Sequence, residues 1–90
     1  MREIPLSEEE MEDIVKNPNK YNWWQLCYNY LFSEDFIREF QSKVDWELIS
    51  LYQNLSKEFI IEFIDKVCFD YLIDNDNISK EVKDYCRMFL

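Results

Sequence analysis

The stretch Trp46–Val67, WELISLYQNLSKEFIIEFIDKV, decides the fold, because it repeats the sequence that lies 23 residues earlier, Trp23–Val44, WWQLCYNYLFSEDFIREFQSKV. Aligning residues 21–44 with residues 44–67 gives eight identities in 24 positions. Residues 67–90 form a more degenerate third copy, in which Phe69 takes the place of the tryptophan. Self-similarity at such a short period is typical of proteins that stack one small helical or mixed unit on the next.

Four times along the chain, an apolar residue is followed by Ser and then by charged residues, which indicates a helix start. At a helix N-cap, a Ser hydroxyl accepts a hydrogen bond from an amide of the first turn, and the acidic residues that follow suit the positive end of the helix dipole. Ser7 with Glu10 also has the spacing of a capping box. Asn22 and Asp45 are predicted to cap a second, shorter helix in their repeats. The predicted serine caps are Ser7, Ser33, Ser56 and Ser79.

These signals predict an all-α protein: a compact bundle or short solenoid of about seven short helices in 23-residue two-helix repeats. We expect a single domain over 1–90, with an acidic capping helix and turn at 1–20 and repeats at 21–44, 44–67 and 67–90. The chain contains no Gly, so Asn54, Asn75 and Asn77 are expected to end helices in the left-handed conformation. The expected helices span roughly 7–16, 23–31, 34–43, 46–53, 57–66, 69–74 and 80–89.

Helix 57–66 is expected to be the central helix. Where the preceding copy has Arg38 and Gln41, this helix has Ile61 and Ile64, which give it a second apolar face. A helix with two apolar faces is expected to be covered on both sides. The residues expected to be most buried are Phe59, Ile60, Phe63 and Ile64.

The composition argues against an enzyme. Without His, the usual general base and the Ser-His and Cys-His nucleophile systems are missing, and without Gly there is no phosphate-cradling loop. The segment Asp70–Glu81 has the length of a calcium loop, but Asn75 stands where that loop needs glycine, so an acidic connection between helices is expected. No catalytic, cofactor-binding or metal-binding residue is therefore predicted. Cys27, Cys68 and Cys86 are too few and too widely spaced for a disulfide framework or a zinc site.

The formal net charge of −9 indicates the kind of partner. Such a charge repels nucleic acid and anionic membranes and favours proteins with basic surfaces. No apolar run approaches the ~20 residues of a membrane-crossing helix, and the odd cysteine count favours a reducing compartment, so we expect a cytoplasmic protein. The acidic residues predicted to contact a partner are Glu8, Glu9, Glu12 and Asp13 in the first helix and Asp70, Asp74 and Asp76 further on.

Trp24 and Tyr28 form an aromatic pair at helical spacing. Trp24 aligns with Glu47 in the next copy, a residue type expected on the exposed side of a helix. Two interpretations follow: either the first helix covers the pair, or the pair is exposed and anchors a partner, a role in which Trp and Tyr are enriched. Trp23 and Trp46 occupy equivalent repeat positions and are expected to pack in the core.

The pattern Trp46-x-x-Ile49-Ser50-x-x-Gln53-x-Leu55-Ser56-x-x-Phe59-Ile60 resembles short tandem helical repeats in proteins of phages and large DNA viruses. The resemblance implies a helical-repeat fold and a viral origin, with the host cytoplasm as location, and it carries no catalytic residues. In size, acidity and composition, the chain is also similar to small phage-encoded inhibitors of host defence, anti-CRISPRs among them. That likeness implies an acidic mimic of nucleic acid that blocks a nucleic-acid-binding host protein.

Two functional hypotheses follow from the sequence. The leading one is a non-enzymatic inhibitor whose acidic surface binds a basic host protein, such as a CRISPR effector, without contacting nucleic acid or membrane directly. The alternative is a general helical-repeat adaptor or scaffold, or a module that associates with itself as a homo-oligomer. Clustering of the acidic residues on one side of the molecule favours the first hypothesis, and an even scatter of these residues favours the second.

Overall fold

Seven short α-helices make up most of residues 4–90, the part of the chain described by this computed structural model, and the all-α prediction is confirmed. A 3-10 turn, Pro18–Lys20, follows the first helix. Two strands of two residues each, β1 Ile4–Pro5 and β2 Tyr30–Leu31, pair in parallel, with Ile4 opposite Tyr30. The helices are α1 Glu8–Lys16, α2 Trp23–Asn29, α3 Glu34–Glu39, α4 Trp46–Tyr52, α5 Lys57–Glu62, α6 Phe69–Leu72 and α7 Lys80–Arg87.

The contacts of the chain cluster into two units. The first unit ends at Val44 and contains α1 to α3 with the two strands, and the second spans Asp45–Leu90 and contains α4 to α7. The division of 1–90 into one domain with three repeats stays a prediction.

The predicted helix starts are confirmed. Each predicted serine cap accepts a hydrogen bond at 3.1–3.2 Å from the amide three residues later. Asn22 and Asp45 do the same for α2 and α4, at 3.2 and 3.1 Å. At Ser7 the capping box is complete, because the Glu10 carboxylate in turn accepts from the Ser7 amide at 3.2 Å. Local side-chain chemistry therefore sets where these helices begin.

The helices α3 and α5 end earlier than predicted. Phe40 and Phe63 leave helical geometry, with ψ angles of 27° and 35°. A tight turn follows each, in which the amides of Val44 and Val67 donate to the carbonyls of Phe40 and Phe63 at 3.1 and 3.0 Å. Both valines are buried, so the apolar spacing of the helix continues into the turn. The sequence pattern therefore predicts a longer helix than the structure contains.

The prediction that Asn54, Asn75 and Asn77 end helices in the left-handed conformation is wrong. No residue in the described part of the chain has a positive φ. The helix α4 instead passes into extended backbone at Gln53, with φ −81° and ψ 151°. A change to extended backbone leaves the last carbonyls of a helix without intrahelical partners.

Two asparagine side chains, buried Asn75 and half-buried Asn77, satisfy those carbonyls at the end of α4. The Asn75 Nδ2 group donates to the carbonyls of Ser50 and Gln53, both at 2.8 Å, and its Oδ1 accepts from the Asn77 amide at 2.7 Å. The Asn77 Nδ2 group donates to the Tyr52 carbonyl at 2.6 Å. These two asparagines therefore cap α4 from a loop more than twenty residues further along the chain.

Aromatic clusters form the core of both units, and Trp23 and Trp46 pack in them. Edge-tilted and offset rings at such distances add packing energy beyond burial. Corresponding rings lie at nearly the same separations: Trp23 is 6.2 Å from Phe36 and 5.1 Å from Phe40, and Trp46 is 6.3 Å from Phe59 and 5.1 Å from Phe63.

Three of the four residues predicted to be most buried in helix 57–66 are buried, and the fourth is not. Phe59, Ile60 and Phe63 are buried, but Ile61 is 46% and Ile64 37% exposed. The second apolar face is therefore not covered. Ile61 lies about 100° around the helix from Ile60, which turns it away from the core. The helix has ended before Ile64.

Candidate protein-binding site

The first helix presents carboxylates to solvent. Ile14 is its buried residue, and Glu8, Glu9 and Glu12 lie exposed away from it. None of these three residues forms an ion pair within the described part of the chain. Three of the predicted partner-binding residues are thus accessible and have no ion-pair partner among residues 4–90.

Asp13 differs from the other acids of α1, because it is half-buried and bonded. Its carboxylate accepts from Tyr21 Oη, from Lys20 Nζ at 3.2 Å and from Asn17 Nδ2 at 3.3 Å. The bond from Tyr21 is the main cause that lowers the pKa of Asp13, followed by the bond from Lys20. Asp13 is therefore less accessible than Glu8, Glu9 and Glu12, and it ties α1 to the turn that follows it. Its contact with a partner stays a prediction.

An open groove lies between α1 and α3, and we call it the α1–α3 groove. Its volume is about 420 Å³. Apolar side chains form its floor, and one of them, Val15, is 50% exposed. An exposed apolar surface bordered by charge is typical of a protein contact. The lining residues are Met11, Val15, Ser33, Asp35, Phe36 and Glu39.

Carboxylates border the α1–α3 groove from both helices. Asp35 and Glu39 line it on the α3 side. On α1, Glu8 and Glu12 precede Met11 and Val15 by three residues, so each lies beside one of the apolar groups on the helix surface. Arg38 pairs with Asp35 at 2.7 Å, but the Asp35 side chain is 94% exposed, and such surface pairs contribute little. The border of the groove is therefore negatively charged.

A smaller, more polar hollow lies on the other side of α1, and we call it the α1–α2 pocket. Its volume is about 250 Å³. The Glu10 carboxylate is held at its edge by the Ser7 amide. That bond is the main cause that lowers the pKa of Glu10, so this carboxylate is charged at neutral pH. The lining residues are Glu10, Ile14, Tyr21, Asn22, Gln25, Leu26, Asn29 and Tyr30.

Trp24 and Tyr28 stack on each other on α2, with ring centroids 5.3 Å apart and an interplanar angle of 5°. Trp24 is 53% exposed and Tyr28 is half-buried. The sequence left open whether the first helix covers this pair. It does not cover Trp24. The residues that follow them, Gln25 and Asn29, line the α1–α2 pocket, whereas the pair itself lies outside its lining.

The remaining predicted contact residues lie in the second unit. Asp70 is exposed on α6, and Asp74 and Asp76 are exposed in the loop after it. Asn75, which lies between them, points inward to the end of α4. The loop therefore places its carboxylates in solvent and its amide in the core.

Sequence reasoning missed both hollows. Glu10 was identified only as a capping residue, and no signal marked Val15 or Gln25. Within residues 4–90, no group of three or more acidic or cysteine side chains is placed to hold a metal ion, and no helix has the length and apolar content to cross a membrane. Comparison of the chain with protein-family models, with curated proteins and with solved structures finds no match.

Proposed function

We propose that this chain is a non-enzymatic protein-binding module that recognises a partner with a basic surface through the α1–α3 groove. The observation that carries this proposal is the combination of exposed Val15 in the floor of the groove with Asp35 and Glu39 in its lining. Helical spacing adds Glu8 and Glu12 on the neighbouring surface of α1. A partner segment with apolar residues flanked by Lys or Arg complements both features. The acidity of α1 alone does not indicate a binding site, because acidic helices are common on protein surfaces.

The two features of the groove are expected to act differently. Burying Val15 and Met11 against an apolar residue stabilises the complex by about 25 cal/mol per Å² of apolar area removed from water. The carboxylates at the border mainly speed association and fix orientation, since charges at the edge of an interface act on the on-rate. Exposed Trp24 supplies a second contact of the type that frequently anchors interfaces.

The partner that we propose is a nucleic-acid-binding host protein, with a CRISPR effector as one example. Surfaces that bind phosphate backbones carry clustered Lys and Arg. An acidic protein that occupies such a surface blocks it as a mimic of nucleic acid. The formal charge of −9 supports this proposal, and so do Glu8, Glu9 and Glu12, which have no ion-pair partner in the described part of the chain. The likeness to phage inhibitors points to the same kind of partner.

The proposal is tested by capturing the partner from the natural host and measuring association kinetics over a salt series. Exchanging both Glu8→Gln and Glu12→Gln should slow association by about 2- to 30-fold, since exposed charges contribute roughly 0.2–1 kcal/mol each. It should also reduce the salt dependence, because exposed charges are screened beyond about 8 Å at physiological salt.

The matched control is Glu58→Gln with Glu62→Gln on α5. This pair has the same four-residue spacing, the same charge change and exposed positions, but it lies outside the groove. Equal slowing by the two double variants would show that net charge, and not the α1–α3 groove, attracts the partner. An on-rate that does not change with salt would reject electrostatic recognition altogether.

Exposed apolar residues in the second unit favour the alternative function, an adaptor or a self-associating module. Ile61, Ile64 and Met88 are all exposed, and apolar repeat surfaces are common contact sites in helical-repeat proteins. Analytical ultracentrifugation distinguishes the two proposals. An average mass that rises with concentration and is insensitive to salt supports self-association, whereas a constant monomer mass opposes it.

A further inference from the structure

The α1–α2 pocket has the size of a single side chain. Pockets for drug-sized ligands usually measure ~300–1,000 Å³, and this one measures about 250 Å³. Its base is formed by Ile14 and Leu26, both buried. A long side chain can rest its methylene groups on such a base and keep its polar end near the edge.

The pocket lies in a negative field. The Glu10 carboxylate lines it, and Asp13 is bonded to its Tyr21 wall. The pKa of Tyr21 is raised to about 12, mainly by the bond to Asp13 and then by burial and by the charges of Asp13 and Glu10. Lys20 offsets Asp13 through an ion pair at 3.2 Å, whereas the Glu10 carboxylate is held by hydrogen bonds from Ser7 and Tyr30 and keeps its negative charge at the edge of the pocket.

The walls of the pocket suit a flat cation. Tyr21 and Tyr30 line the pocket. The Lys20 ammonium lies 5.6 Å from the Tyr21 ring centroid, which shows that this ring takes part in a cation–π contact. The side-chain amides of Gln25 and Asn29 make no hydrogen bond within the described part of the chain. Their oxygens are therefore available to accept N–H groups.

We infer that the α1–α2 pocket receives an arginine side chain of the basic partner, with the guanidinium on the Glu10 carboxylate and beside Tyr21 and Tyr30. A guanidinium is planar, stacks on aromatic rings and offers five donors, which matches one carboxylate and two amides better than the ammonium of lysine does. That the arginine comes from a basic partner rests on the proposed function. The expectation that the pocket binds a guanidinium rests on its lining residues alone.

The test is an NMR titration of the full chain with N-acetyl-arginine methylamide, alongside the citrulline and lysine analogues. Saturable shifts are expected at the side-chain amides of Gln25 and Asn29, with a Kd of about 1–10 mM for arginine. The neutral citrulline analogue, which has nearly the same shape, should bind at least about tenfold more weakly, because it loses the charge-assisted bonds. Equal shifts with arginine and citrulline would overturn the inference.

A charge placed in the pocket gives a second readout. Gln25→Lys changes an exposed position and should abolish binding of the arginine analogue, whereas Gln41→Lys, the same change on a residue that does not line the pocket, should leave it intact. Retained binding in Gln25→Lys would also overturn the inference. Circular dichroism checks that both variants keep the helical content of the parent.

The captured partner separates this inference from the proposed function. If the arginine analogue binds and Gln25→Lys blocks it, but no basic partner associates, the arginine site stands and the proposed function fails. If Glu8→Gln with Glu12→Gln slows a basic partner while the analogue does not bind, the proposed function stands and the arginine site is rejected.

Discussion

Changing Asn75→Asp tests whether the buried amide, and not merely its volume, holds the end of α4. The substitution keeps the shape and the Oδ1 acceptor for the Asn77 amide, but replaces the Nδ2 donor by an oxygen that faces the carbonyls of Ser50 and Gln53. Two bonds of 2.8 Å are lost. At about 1 kcal/mol for each net bond, with a further 1–3 kcal/mol for buried carbonyls left unsatisfied, the cost is about 3–5 kcal/mol.

That cost is large for this chain. A protein of this size has an unfolding free energy of roughly 5–13 kcal/mol, so Asn75→Asp should shift the urea midpoint strongly when followed by circular dichroism. The loss should be smaller in acid, because burial favours the protonated form of the new carboxyl group. The control Asn54→Asp makes the same change at an exposed position and should stay within about 0.5 kcal/mol of the parent. Equal midpoints for the two variants would refute the capping role of Asn75.

Three further predictions follow from burial and charge. Phe59→Ala should cost about 3–5 kcal/mol in urea unfolding, whereas the exposed neighbour change Ile61→Ala should cost less than about 1 kcal/mol; similar costs would contradict the burial pattern of α5. The pKa of Tyr21 is raised to about 12 from 10.0, so the contribution of its bond to Asp13 to stability is complete below pH 10 and is lost as pH rises towards 12. Tyr21→Phe should therefore make the melting temperature less dependent on pH over that range. An unchanged pH profile would refute the bond between Tyr21 and Asp13. The pKa of Asp13 is lowered from 3.8, so the stability that its carboxylate contributes is present above that value and is lost as pH falls further. Asp13→Asn should therefore lose less stability in acid than the control Glu9→Gln does.

The beginnings of the helices could be predicted because their chemistry is local. A serine hydroxyl reaches the amide three residues later whatever the rest of the chain does. The ends of α3 and α5 could not be predicted in this way. Val44 and Val67 are buried in turns and keep the apolar spacing of a helix, so periodicity alone does not distinguish the last helical residue from the turn.

The candidate site was only partly predictable for a related reason. Exposed carboxylates on α1 follow from helical periodicity, which places Glu8 and Glu12 away from Ile14. The bonding of Asp13 depends on Tyr21, which lies eight residues further on and beyond a turn. The α1–α3 groove and the α1–α2 pocket depend on which helices flank α1, and the spacing of residues within one helix does not contain that information.

The capping of α4 from a distant loop has a consequence for how the protein is made. A ribosome that adds roughly 5–20 residues per second needs about 1–5 s to proceed from Tyr52 to Asn75. Through that interval, the carbonyls at the end of α4 have only water as a partner. The second unit therefore cannot complete its first helix, α4, until Asn75 in the loop after α6 has been synthesised. A nascent chain halted before Asn75 is expected to keep the end of α4 frayed and open to proteases.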